Sequence, residues 1–111
     1  MAQRIQVVRG TTNTFEINIV DSGGNPYNLG SNEKVMFGIK KNPQDAEMIF
    51  AKTAEIIGSG LFKVRISPPD TENLSFGKYW YDVGLQSGED FYNVVEQNPF
   101  EIIPGITCRE V

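Results

Sequence analysis

The chain has 111 residues, 40% hydrophobic and 22% charged, which is the size and composition of one globular domain and argues against disorder. The net charge is −4 and the ten basic residues are spread out, with only Lys40-Lys41 adjacent. A phosphate backbone is bound by a concentrated basic face, so nucleic acid is excluded as the expected partner. Histidine is absent, which removes His-based acid–base catalysis, Ser-His and Cys-His nucleophile pairs and His metal sites.

The N-terminal Met1-Ala2-Gln3-Arg4-Ile5 has no apolar stretch of signal-peptide length, and no run approaches the ~20 apolar residues of a membrane span. A chain without signal or membrane segment is expected. The first strand is expected at 3–9. Its alternating Gln3-Ile5-Val7 run is terminal, so Ile5 and Val7 are candidates for docking or strand swapping. At 13–20, Phe15, Ile17 and Ile19 alternate with Glu16 and Asn18, the period of a strand with one wet and one buried face. Asp21-Ser22-Gly23-Gly24-Asn25-Pro26 then reads as a turn; its single carboxylate is too few for a calcium loop.

Val35, Phe37 and Ile39 alternate across 33–40, and one strand is expected at 47–56. Gly58-Ser59-Gly60 predicts a hairpin into 61–66, where Phe62, Val64 and Ile66 face inward. Residues 68–74 hold the single helical turn, with Asp70 or Thr71 as its cap. Over 78–86, Tyr79, Tyr81, Val83 and Leu85 share a face, leaving Trp80 outward. Ser87-Gly88-Glu89-Asp90 joins this strand to 91–96, and Gln97-Asn98-Pro99 interrupts the run before 99–103, as a bulge or an edge break would.

Seven or eight short strands in ~100 residues predict an all-β, immunoglobulin-like antiparallel β-sandwich, one domain over 1–111. Tyr79 enters its strand just after a turn, where such sandwiches carry a tyrosine corner. Cys108 has no partner cysteine, so the fold stands without a disulfide.

No catalytic constellation emerges. Asp70 and Glu72 are close and Asp82 lies on a strand, but no pair faces across a cleft as glycoside hydrolysis needs. Metal, cofactor and phosphate-loop patterns are absent. The expectation is a non-enzymatic binding protein without cofactor. An interface patch is expected where Trp80 meets Phe91 or Tyr92 on the paired strand, because Trp and Tyr anchor interfaces. The same rings could stack on a sugar, so a small carbohydrate-binding module is the second reading.

Several pieces, in order, resemble a known family. They are Arg9-Gly10-Thr11-Thr12 with Phe15-Glu16-Ile17-Asn18-Ile19, then Asp21 with Gly24-Asn25-Pro26-Tyr27-Asn28-Leu29, then Val35-Met36-Phe37-Gly38-Ile39-Lys40-Lys41. Ile66-Ser67, Asp70-Thr71, Leu74, Gly77-Lys78-Tyr79-Trp80-Tyr81-Asp82-Val83 and Phe100-Glu101-Ile102 follow. Over roughly residues 7–107 the chain resembles the N-terminal domain of phage baseplate upper proteins. The resemblance implies a sandwich in a siphophage or prophage tail that attaches tip modules through protein contacts, with other tail and virion proteins or further copies of itself as partners. It places the chain in host cytoplasm during assembly and then in the virion. The resemblance implies a helical, receptor-binding extension after the sandwich in full-length baseplate upper proteins, and a stand-alone domain without it is the expectation here. A small tail or neck accessory protein, or a relative sharing only the domain, fits equally.

Overall fold

The structure, a computed structural model, describes residues 4–107; Cys108 lies outside them. Eight strands and one helical turn are present among these residues: β1 (Ile5–Val8), β2 (Asn13–Asn18), β3 (Glu33–Lys40), β4 (Phe50–Thr53), β5 (Glu55–Gly58), β6 (Leu61–Ile66), α1 (Pro68–Thr71), β7 (Gly77–Ser87) and β8 (Asp90–Ile103). They form a five-stranded sheet, β1-β8-β7-β3-β4, facing a three-stranded sheet, β2-β6-β5. This is the all-β sandwich that the alternating pattern predicts. One pairing departs from the antiparallel expectation. β1 runs parallel to β8, with Ile5 opposite Phe100 and Val8 opposite Ile103. The two strands come from opposite ends of the chain, so no hairpin dictates their relative direction.

The core lies between the sheets. Phe37, Ile39, Phe62, Val64, Ile66, Tyr81, Val83 and Phe100 are all buried there. Phe37 sits at its centre, with ring centroids 5.3 Å from Tyr81, 6.2 Å from Phe15 and 6.2 Å from Phe100. Aromatic packing of this kind adds to the burial of each ring.

Two boundaries differ from those the sequence predicts. The expected strand at 47–56 is two strands in different sheets, β4 and β5, because the chain crosses between sheets at buried Ala54. The interruption expected at 97–99 is a bulge and not an end of the strand: the register against β7 shifts between Val95 and Asn98, and β8 runs on through Pro99 to Ile103. Among the described residues β1 pairs only from Phe100 onward, so Pro99 is left with no strand partner on that side, which is where a strand proline is tolerated. The helical turn is also capped differently. Ser67 is the N-cap, and Asp70, three residues on, accepts the Ser67 backbone N–H at 2.7 Å and pairs with Lys52 Nζ at 2.8 Å. Thr71 is fully buried and its hydroxyl accepts from the Gly10 backbone N–H at 2.8 Å.

Tyr79 is 3% exposed and donates its hydroxyl to the Ser75 carbonyl, four residues upstream, at 2.8 Å. Burial raises its pKa above the ordinary phenol value. The bond ties the start of β7 to the loop that follows α1. Tyr79→Phe is expected to cost about 1 kcal/mol, because the Ser75 carbonyl loses its donor while the ring still fills its site. Urea denaturation of the two proteins checks this through the shift in midpoint.

Candidate functional site

The two sheets are unequal, and the inequality creates the site. The smaller sheet stops at β2, whose only paired strand among the described residues is β6. The larger sheet continues past this line through β8 and β1. Between the β2 edge and the inner face of β7–β8 lies an open groove of about 1110 Å³. Phe15 and Ile17 of β2 form one wall. Phe37, Tyr81 and Val83 form its floor, and Val94 and Val95 its opposite wall. The mouth carries Arg4, Ile5, Glu16, Glu96, Gln97 and Asn98.

Local irregularity in β8 shapes the opposite wall. Ser87 pairs with Asp90 around the two-residue turn Gly88-Glu89, with Gly88 at φ +60°. From there the register shifts between Gly84 and Val83 and again between Val83 and Tyr81, each time with an extra residue on β8. Neighbouring residues of a regular strand face opposite ways; a bulge lets both turn the same way. Val94 and Val95 both line the groove for this reason, and both pack on the core. The adjacent valines in the sequence were a signal of the bulge.

The register also separates the aromatics expected to cluster. Trp80 pairs with Pro99, whereas Phe91 pairs with Gln86 and Tyr92 with Leu85. Phe91 is 62% exposed and its ring lies over Gly84, four residues from Trp80, or roughly 13 Å at ~3.3 Å per residue. Tyr92 is on the opposite face, beside buried Leu85. Trp80 is half-buried, with Lys78 Nζ 4.6 Å from its ring centroid. The three rings therefore form no common patch. Val7 is 1% exposed, so its side chain belongs to the core; β1 itself is an edge strand, paired on one side with β8. Ile5, one turn of the pleat earlier, is half-buried at the groove mouth. Phe15 and Ile17 were not singled out as site residues by sequence, because their alternation reads as core, and the adjacent Val94 and Val95 show no alternation to assign them a face.

The carboxylates are engaged in structure. Asp70 serves the helical turn, and Asp82 accepts from Asn93 Nδ2 at 2.8 Å. Among the described residues no three His, Cys, Asp or Glu side chains gather as metal ligands would. Tyr27 and Glu33, a hydrogen-bonded pair with shifted pKa values, lie outside the groove. The Gly30 backbone N–H, then the Ser87 and Tyr27 hydroxyls, hold the Glu33 carboxyl below the usual range. The bond to Glu33, 2.9–3.0 Å long, raises Tyr27 in turn. A depressed folded-state pKa stabilises above the unfolded value and is lost as pH falls through the folded one. The melting temperature of the native protein should thus fall more steeply below about pH 4.3 than that of Glu33→Gln. Thermal melts across an acid pH series check this.

Apolar walls, an open mouth and strand edges that are unpaired among the described residues make this groove the candidate site of an all-β two-sheet sandwich. Comparison with protein-family models finds no match, and comparison with curated proteins finds none. Solved structures show similarity of fold. The endo-beta-1,4-mannanase from Thermotoga petrophila aligns with a TM-score of 0.58 at 7% identity, over 94% of this chain but 18% of the mannanase. The N-terminal domain of phage TP901-1 ORF48 aligns with a TM-score of 0.51 at 12% identity, over 90% of this chain and 82% of that one.

Proposed function

We propose that the chain is a non-enzymatic phage or prophage structural protein of the tail or baseplate, working through protein–protein assembly contacts. The observation that carries this reading is the near domain-for-domain likeness to the phage TP901-1 ORF48 domain, 90% of one chain against 82% of the other. The ordered motifs that resemble baseplate upper proteins support it. So does the strand order, in which β2-β6-β5 and β8-β7-β3 correspond to the B-E-D and G-F-C orders of immunoglobulin-like sandwiches. On this reading the protein works in host cytoplasm during assembly and then in the virion.

A carbohydrate-binding role is the second reading, favoured by the mannanase likeness, which concerns only 18% of that enzyme. The separation of Trp80 from Phe91 and Tyr92 weighs against it, because sugar platforms need neighbouring rings. Mass spectrometry of purified phage particles from a strain carrying the gene tests the proposal. Peptides of this chain in constant proportion to tail proteins, with no calorimetric response to β-1,4-mannan oligosaccharides, are expected. Absence from particles, or saturable sugar binding, overturns it.

A further inference from the structure

We infer that the groove takes an extended segment of a partner protein, which pairs with the free edge of β2 as a fourth strand of the smaller sheet. For the partner's identity this rests on the assembly reading; for the chemistry of the site it does not.

Three observations converge. First, β2 is regular. Asn13–Asn18 pair in unbroken register with Ile66–Leu61, and no strand lies on their other side among the described residues. Such an edge offers alternate backbone N–H and C=O groups that only another extended chain satisfies in full. The facing edge of β8 is guarded instead. Its two bulges, where the pairing with β7 shifts register, bend the strand, and Asn98 Nδ2 occupies the Glu96 carbonyl at 2.9 Å. The groove thus has one receptive edge and one blunted edge.

Second, a strand laid beside β2 would turn alternate side chains into the groove. There they would meet Phe15, Ile17, Tyr81, Val94 and Val95, all apolar or aromatic and all now facing the open space. This selects apolar residues at every second position of the incoming segment. A small-molecule occupant would leave the β2 backbone groups unused.

Third, charge selects the residues between them. Glu16 and Glu96 are the two carboxylates that line the groove. Arg4, the one cation at the mouth, already faces Glu101 at 3.8 Å. The complementary partner alternates apolar residues with lysine or arginine. A second copy of the same acidic rim would oppose like charges.

The test uses the whole ¹⁵N-labelled chain and two synthetic peptides about nine residues long, one alternating valine with lysine, the other valine with glutamate. Hydrogen exchange and chemical-shift titration are read residue by residue. The lysine peptide should bind saturably and protect the amides of Asn13–Asn18 that β6 leaves unpaired. The glutamate peptide should bind about tenfold more weakly or more. The double variant Glu16→Lys with Glu96→Lys, both exposed positions, should reverse this preference. No saturable binding, protection confined to β4, β5 or β8, or an unchanged preference in the double variant overturns the inference. Presence in phage particles is read separately, so strand addition and virion membership can fail independently.

Discussion

Replacing Gly60 by alanine is expected to cost ~2–4 kcal/mol and to lower the urea midpoint sharply. Gly60 closes the β5–β6 hairpin at φ +66°, a left-handed conformation that costs an L-residue about 1–2 kcal/mol. Space adds a second penalty. A Cβ there would stand 2.7 Å from the Ile19 carbonyl oxygen and 2.9 Å from Pro26 Cα, both backbone atoms. Neither can move without disturbing the bond from the Ile19 N–H to the Gly60 carbonyl, 2.8 Å long, or the Val20–Pro26 bridge. Gly24→Ala is the control. Its φ is +84°, but no atom lies within 4 Å of the new Cβ, so only the conformational penalty applies. Equal losses at the two positions would show that the hairpin does not press against the Asp21–Pro26 turn.

The second large effect is at Phe37. Truncation to alanine is expected to cost ~3–5 kcal/mol, the usual range for a buried phenylalanine. The ring is 1% exposed and touches both sheets, through Phe15 on β2 and through Tyr81 and Phe100 on β7 and β8. Its removal opens a cavity directly beneath the groove. A small domain has only ~5–15 kcal/mol in total, so the variant should be close to unfolding at moderate temperature. Phe91→Ala, at a 62% exposed ring, should lose far less. Denaturant titration of both variants checks the contrast; similar losses would mean that Phe37 does not hold the sheets together.

Much of this architecture was legible in the sequence because period-two patterning reports burial directly. β3 and β6 begin and end where the alternation of Val35-Phe37-Ile39 and Phe62-Val64-Ile66 places them. Patterning does not report which sheet a strand joins, so the crossing at Ala54 was hidden inside one apparent strand. The misplaced aromatic patch has a sharper lesson. The two-residue turn Gly88-Glu89 sets Ser87 against Asp90, and counting back puts Trp80 near Gln97, far from Phe91. The two bulge residues then move its partner to Pro99. The groove was invisible for a different reason. Phe15 and Ile17 have the same alternation as core residues, and they are half-buried where β2 has no second neighbour among the described residues.

That missing neighbour is the claim on which the functional account turns, and amide hydrogen exchange of the free, dilute protein tests it most directly. Within Asn13–Asn18, the amides bonded to β6 should exchange slowly, and those facing away should exchange orders of magnitude faster, while β3 and β7, each flanked by two strands, are protected throughout. Uniform protection along both sides of β2 at every protein concentration would contradict an open edge and, with it, the groove as a place for a partner.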